Sequence, residues 1–495
     1  MMRRVFGGLL AAALMAGPTA GAVSAGAAGS VGGDGYPARE ISGRDALSDI
    51  KLLERVLTTV HAGWGRYTSE DEMDAAFGRL RRAVRGGTTD ADMYLEVSRL
   101  LELIRCDHTK AEYPDALRSW RESNRSFMPV RTHVFGGRLY AGTNRIDGMG
   151  EGDEILSING VVTKRALGAV RGLISIDGNT EHARDAELTL SSEYMGSGLD
   201  TFMPLVFGWA ETFEFVVRDS NGEERQASGR ALTFDGFESM VRSGEPFVRD
   251  FKDAVSVERP GDGTALLRVD TFVNYRDPVD PDEVYGSIMS ALNREGVEHL
   301  IVDLRRNGGG SNDAAESLFR HLIAEPVETE QFALVRTVPV PQDVKDAVNT
   351  WDRSALEAER DMFERAGNGM WRMRGGGAAT MMPAPDHFRG RVTVLSSIAN
   401  SSGSTMTIAG LQRAGIRVVG EPTGGSVEGP TAGILVFLKL PNSDINVRVP
   451  LIRSVTGLSP AEPGMGVVPD VPVDITAAGF FAGRDEVLEA ARSEW

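Results

Sequence analysis

Two stretches of the sequence place reactive groups where a buried strand leaves a core. In the first, Asp303-Leu304-Arg305-Arg306-Asn307-Gly308-Gly309-Gly310-Ser311, an apolar run from Leu300 leads into three glycines and then into a helical pattern over Asp313 to Leu322. Glycines let the backbone approach a ligand. N–H groups exposed at a strand-to-helix turn form an anion site, which can cradle a phosphate or stabilise the oxyanion of acyl transfer. The phosphate reading lacks its lysine, because Gly310 is followed by Ser311 and Asn312. The second stretch, Val394-Leu395-Ser396-Ser397-Ile398-Ala399-Asn400-Ser401-Ser402-Gly403-Ser404, is again a strand, now followed by hydroxyls at the start of a helix. A serine there usually caps the helix by accepting a free N–H. A nucleophile there gains from the helix N-terminus, which stabilises a developing negative charge.

The elements that must carry these groups fall into three textures. Asp45 to about Ala111 is helical, with Val97, Leu100, Leu101 and Ile104 on one face, a capping box at Ser69 and Glu72, and a weaker one at Thr89 and Asp92. Roughly Val130 to Leu232 consists of short apolar runs broken by glycine, as expected of strands and tight turns. Within it, Gly150-Glu151-Gly152-Asp153-Glu154-Ile155-Leu156-Ser157-Ile158-Asn159-Gly160 resembles the "GD-x-I-x-x-I-N-G" signature of PDZ domains, a motif that reports packing better than ligand binding. From about Ala265 to Asp474 short buried strands alternate with helices, the texture of an α/β core. A polar, Gly-rich insertion lies between Val335 and His387 and reads either as a lid or as a surface excursion.

Taken together, the two reactive stretches resemble the core of the tail-specific, or C-terminal processing, serine peptidases. In that family a strand ending "D-L-R-x-N-x-G-G" supplies an oxyanion-hole amide, a later "x-x-S-A-A-E" or "S-S-G-E" turn holds the nucleophile, and "G-E-x-T-x-G" follows. Gly420-Glu421-Pro422-Thr423-Gly424-Gly425, Leu440-Pro441-Asn442-Ser443 and Gly466-Val467-Val468-Pro469-Asp470 extend the match over nearly the whole mature chain. The resemblance implies a crotonase- or Clp-like core, an acyl-enzyme on Ser401, and an oxyanion hole from the amides of Gly309 and Ser402, with Gly308 and Gly310 as neighbouring candidates. No cofactor or metal is implied.

Two departures stand out. Ser426 occupies the place of the family's base lysine, with no lysine between Ser401 and Lys439, and Ser404 replaces a common glutamate. The histidine-using, tricorn-like branch takes its base from the N-terminal helical domain, and Cys106-Asp107-His108-Thr109 resembles its "D-G-H-T" motif. His108 is therefore the expected base, since a neutral imidazole of ordinary pKa near 6.5 accepts a proton at neutral pH. A histidine ending a helix also interacts favourably with the helix dipole. His61 lies in a segment resembling the family's "H-P-G-x-x-R-Y" and reads as structural. For the carboxylate that orients the base, Glu462 ranks first by its place before Gly464-Met465-Gly466-Val467, with Glu428 and Asp107 competing. Metal ligation by Cys106, Asp107 and His108 is discounted, because three adjacent residues rarely converge on one ion.

The expected architecture is multidomain α+β: a helical domain over 41–125, a PDZ-like β domain over 130–235, a catalytic core over 245–480 with an insertion over 335–390, and a C-terminal helix over 481–495. Arg3 and Arg4 before an apolar run from Val5 to Ala16, followed by small residues, read as a secretory signal peptide over 1–25, with a Gly/Ala/Ser-rich lead-in over 26–40. A short membrane anchor is the alternative for that segment. Export, periplasmic or beyond, follows from the signal reading. Cys106 is the single cysteine, so the fold relies on its core rather than on an intrachain disulfide. With 53 Lys plus Arg against 70 Asp plus Glu, the net charge of −17 repels nucleic acid and anionic membranes. Protein or peptide substrates are the expected partners, and no late segment is apolar enough to span a bilayer. A non-catalytic peptide- or hydrophobic-ligand-binding protein on the same fold is the alternative function.

Overall fold

The computed structural model describes residues 35–493, except 190, 192, 243–249, 262, 459 and 461. The expected signal peptide over 1–25 and most of the 26–40 lead-in lie outside the described residues. Among those residues, no helix is long and apolar enough to cross a membrane.

A mostly parallel sheet forms the centre of the C-terminal half. Its order is Val255–Glu258, Thr264–Val269, His299–Asp303, Arg391–Ser396, Arg417–Gly420, Val471–Pro472, with only the first pair antiparallel. All five residues of His299–Asp303 are buried, as a strand covered on both faces requires. Alternation sorts its side chains: Leu300 and Val302 pack beneath the helices Pro281–Glu295, Asn312–Leu322 and Ser402–Arg413, while Ile301 faces the opposite side with Leu395 and Val419. That opposite face is covered by Val487 and Ala491 of the C-terminal helix Glu486–Ser493. In such a sheet the carboxyl ends of the parallel strands open onto loops that can hold a site. Here those ends are Asp303, Ser396 and Gly420.

An antiparallel sheet stands beside it, built on the long hairpin Thr431–Lys439 and Asn446–Thr456 and continued by Val327–Val335. The 335–390 segment is folded onto this sheet. Its strands Phe363–Arg365 and Trp371–Met373 extend the edge, Gly377–Met381 pairs with Val327–Val335, and Asp343 is ion-paired with Arg55 of the first helix.

The N-terminal helices Gly43–Val60, Glu70–Val84 and Asp90–Glu102 bury their apolar stripes in one shared core. The capping box at Ser69 and Glu72 is present, and Thr89 caps the third helix through the Asp92 amide. That third helix is shorter than the apolar pattern suggests. It stops at Glu102, and Arg105 adopts a left-handed φ of 57°, so Cys106 to Thr109 form a separate turn closed by the Thr109 N–H on the Cys106 carbonyl. His108 is thus not at a helix C-terminus, and an interaction with the helix dipole does not account for it. Strand Ala111–Glu112 then joins Asn446–Val447 and welds this turn to the long hairpin. A further sheet, Val130–Phe135, Arg138–Asn144, Glu154–Ile158, Thr212–Arg218 and Glu224–Arg230, takes up the strand-and-turn region; Ile155 and Ile158, which regular alternation would put on opposite faces, are both buried, with a register shift between Ile155 and Ser157.

Candidate active site

Ser401 sits where the strand Arg391–Ser396 hands over to the helix Ser402–Arg413. It occupies the N-cap position with extended backbone, φ −136° and ψ 171°, yet its side chain makes no capping hydrogen bond. Instead the hydroxyl donates to Asp107 Oδ2 at 2.5 Å, across 294 residues of sequence. The two readings of this serine are separated by that bond: the hydroxyl is directed into the site rather than at its own helix.

Asp107 joins the serine to the histidine. Its second oxygen, Oδ1, accepts a hydrogen bond from His108 Nδ1 at 2.6 Å. Both side chains are largely buried. Burial alone would raise the Asp107 carboxyl, but the His108 charge, with the His108 and Ser401 hydrogen bonds, holds it well below the usual carboxylate range. Burial likewise disfavours the His108 cation, and the Asp107 carboxylate outweighs it and raises the imidazole. Basic strength therefore resides on the ring and not on the carboxylate. No direct hydrogen bond links Ser401 to His108; Asp107 lies between them.

The turn that carries these residues is fixed from several sides. His61 is fully buried, accepts the Gly63 N–H at Nδ1 and meets Thr109 Oγ1 through Nε2 at 2.7 Å. Burial, then the Arg336 charge, pushes its pKa down to about 3, so it holds the turn as a neutral ring. Cys106 Sγ donates to the Thr431 carbonyl at 3.2 Å, and burial pushes its thiol up to about 12. The donor atoms of Cys106, Asp107 and His108 lie within 4.8 Å of one another. An ion there would have to displace the bonds just described and ionise a thiol held in its neutral form.

The glycine turn lies against Ser401 and Ser402, but not through the amide expected. Gly309 N–H donates to Asn307 Oδ1 at 2.8 Å, which occupies that donor. Its neighbour is better placed. The Phe272 amide and carbonyl bond to the Gly309 carbonyl and the Ser311 amide, a parallel bridge that turns the Gly310 N–H away from Phe272. Gly310 has φ +142°, and a Cβ there would lie 2.3 Å from the Phe272 carbonyl carbon, so only glycine fits. Ser402 opens the helix with φ +48°, an uncommon conformation for a residue other than glycine. As the first helical residue its N–H has no intrahelical acceptor. Asn400 ties the two turns together, its amide nitrogen donating to the carbonyls of Leu304 and Asn307.

Glu462, ranked first to orient the base, is exposed, and the carboxylate hydrogen-bonded to His108 is that of Asp107. Glu428 faces elsewhere, accepting from Arg66, Tyr67 and the Gly464 amide. The carboxylate on the imidazole is Asp107, the residue beside it in sequence. The buried Asp177, in the turn Asp177-Gly178-Asn179, has no motif that singles it out in the sequence. It meets the site through the Ser426 amide, which donates to its Oδ2 at 2.9 Å.

Comparison with known proteins bears on the fold. No curated protein matches the chain. Among solved structures, CPAF in complex with lactacystin has a TM-score of 0.61 at 16% identity, covering 91% of this chain and 97% of that one. A CPAF serine-to-alanine mutant gives 0.59 at 16% identity, covering 90% and 96%, and mature CPAF 0.54 at 15%, covering 88% and 94%. These likenesses concern the fold. The family model of peptidase family S41 matches residues 263–473, the segment that holds the glycine turn, Ser401 and the parallel sheet. Over that segment the chain is similar to peptidase family S41.

Proposed function

We propose that the protein is an exported serine peptidase that cleaves protein or peptide substrates through an acyl-enzyme on Ser401, with His108 as general base and Asp107 as its orienting carboxylate. The observation that carries this reading is the Ser401–Asp107–His108 chain, in which an N-cap serine forgoes capping and bonds instead to the carboxylate that holds a histidine.

Asp107 accepts the Nδ1 proton, which leaves Nε2 of a neutral His108 as the proton acceptor. In the resting arrangement the Ser401 hydroxyl points at Asp107. A substrate carbonyl entering beside Ser401 draws the oxygen forward, and the hydroxyl turns from a weakly basic carboxylate to the ring. The resulting imidazolium lies against the Asp107 carboxylate, which offsets its charge. The same proton then passes to the leaving amine, and water activated by the neutral ring releases the acyl group. The Gly310 and Ser402 amides serve as oxyanion donors, Gly309 being engaged by Asn307.

Export rests on the basic, apolar and small-residue succession at the start of the sequence. The 130–235 region is read as the PDZ-like unit that presents substrate chain ends, on the strength of its turn signature. The test is turnover of unfolded protein and peptide libraries by the purified chain. Cleavage that vanishes in Ser401→Ala supports the peptidase. Peptide binding without cleavage, undiminished in that variant, replaces it with a binding protein.

A further inference from the structure

The position that would hold the family's lysine is Ser426, and what stands behind it is a carboxyl group. Asp177 is 1% exposed. Its Oδ2 accepts the Ser426 N–H at 2.9 Å, while its Oδ1 is buried and accepts no hydrogen bond. An ionised carboxylate oxygen left bare in a protein interior is costly.

The surroundings of this group belong to the catalytic site. Its charge acts on Asp107, His108 and Cys106 of the 106–109 turn, on Arg66 and Tyr67 of the loop after the first helix, and on Arg453 of the long hairpin. The loops are also locked together. The Gly178 N–H donates to the Arg105 carbonyl, Thr180 Oγ1 to the Gly424 carbonyl, and the Gly425 N–H to the Asn400 carbonyl beside Ser401.

Resting on the serine–histidine reading above, we propose that Asp177 is a positioning residue of the active site, a second buried carboxyl group whose charge sets how firmly His108 holds its proton. Two carboxylates close together in a dry site do not ionise together readily. Asp107 takes the ionised role because Ser401 and His108 both donate to it; Asp177, with one amide donor and one bare oxygen, takes the proton more readily. Burial, then the Asp107 charge, pushes Asp177 up to about 7, against the opposing pull of Arg66. In its ionised form Asp177 favours the His108 cation. Removing that charge leaves the neutral imidazole favoured to lower pH, so the base stays ready under more acidic conditions.

The experiment is the rate of Ser401 labelling by a fluorophosphonate as a function of pH, in the full chain and in Asp177→Asn. The expected result is that labelling persists in D177N and that its acid limb moves to lower pH. An acid limb unmoved in a labelling-competent D177N overturns this inference and leaves the peptidase reading intact. Failure of the folded unsubstituted chain to label at all overturns both. If D177N does not fold, the limb of the unsubstituted chain decides: a curve broadened beyond one proton step supports coupling to Asp177, and a single-proton curve refutes it.

Discussion

Asp107→Asn is the sharpest structural perturbation of this site, because it keeps the shape of the side chain and changes only what its oxygens can accept. Asp107 accepts two hydrogen bonds, one at each oxygen, from Ser401 and from His108. An asparagine can accept at only one. If its oxygen stays toward His108, the serine loses only a resting-state bond that attack breaks anyway, and the rate falls because the imidazolium is no longer offset by a carboxylate charge. If the amide turns over, its NH₂ faces Nδ1, the ring proton moves to Nε2, and the imidazole can no longer take the serine proton. A wrong tautomer of this kind costs on the order of 10⁴ in turnover. The ring nitrogen is the stronger competitor for the amide, so kcat/KM of D107N should fall by about 10³ to 10⁴. Peptide hydrolysis and circular dichroism on the same preparation make the assay. Activity within about threefold of the unsubstituted chain, with the fold intact, would show that Asp107 does not orient the base, since a wrong tautomer costs far more than that.

Three further outcomes follow from the same geometry. Glu462→Ala should leave kcat/KM within about twofold, because an exposed carboxylate contributes little; a large loss would return the orienting role to Glu462. Gly425→Ala places a Cβ 2.6 Å from Thr405 Oγ1 and 3.1 Å from Ser401 Cα, so activity should drop by about 10²-fold through a displaced nucleophile, with normal kinetics counting against the close fit. Glu193 is buried, which opposes its ionisation, but Arg448 and Lys110 pull its pKa down to about 2 from 4.5. A depressed folded-state pKa gives stability that is present above 4.5 and is lost as pH falls toward 2, on the order of 3 kcal/mol. Glu193→Gln takes the ion-pair partner from Lys110 and one of two from Arg448, which keeps Glu112, at a cost of about 3 kcal/mol near neutrality. Its melting temperature should therefore be lower at pH 7, and its acid decline shallower, than those of the unsubstituted chain. Parallel melting curves would contradict this.

The sequence announces Ser401 and the glycine turn because each lies where a buried strand ends, glycines or hydroxyls follow, and a helix begins, whereas His108 is marked only by the resemblance of Cys106-Asp107-His108-Thr109 to a family motif. It also announces the Ser69 and Thr89 caps, which depend on neighbours three residues away. What it conceals are contacts between distant segments. Asp107 stands beside His108, and whether an adjacent carboxylate turns toward the ring depends on the left-handed Arg105, a backbone choice that no motif marks. Gly309 and Gly310 look equivalent in a glycine run. Only the Asn307 side chain and the bridge to Phe272 decide which N–H is free. Asp177 is invisible for the same reason: its bond to Ser426 spans 249 residues. The 335–390 insertion reads as polar and Gly-rich, yet its strands find partners in Val327–Val335, far from their own composition.

The central claim, that Ser401 is activated by His108, is tested most directly by mass-spectrometric mapping of a fluorophosphonate adduct on the folded chain and on His108→Ala. The account predicts a single adduct on Ser401, absent in Ser401→Ala and formed at least about 100-fold more slowly in His108→Ala. An adduct on another residue, or one formed on Ser401 at an unchanged rate without the imidazole, would contradict it.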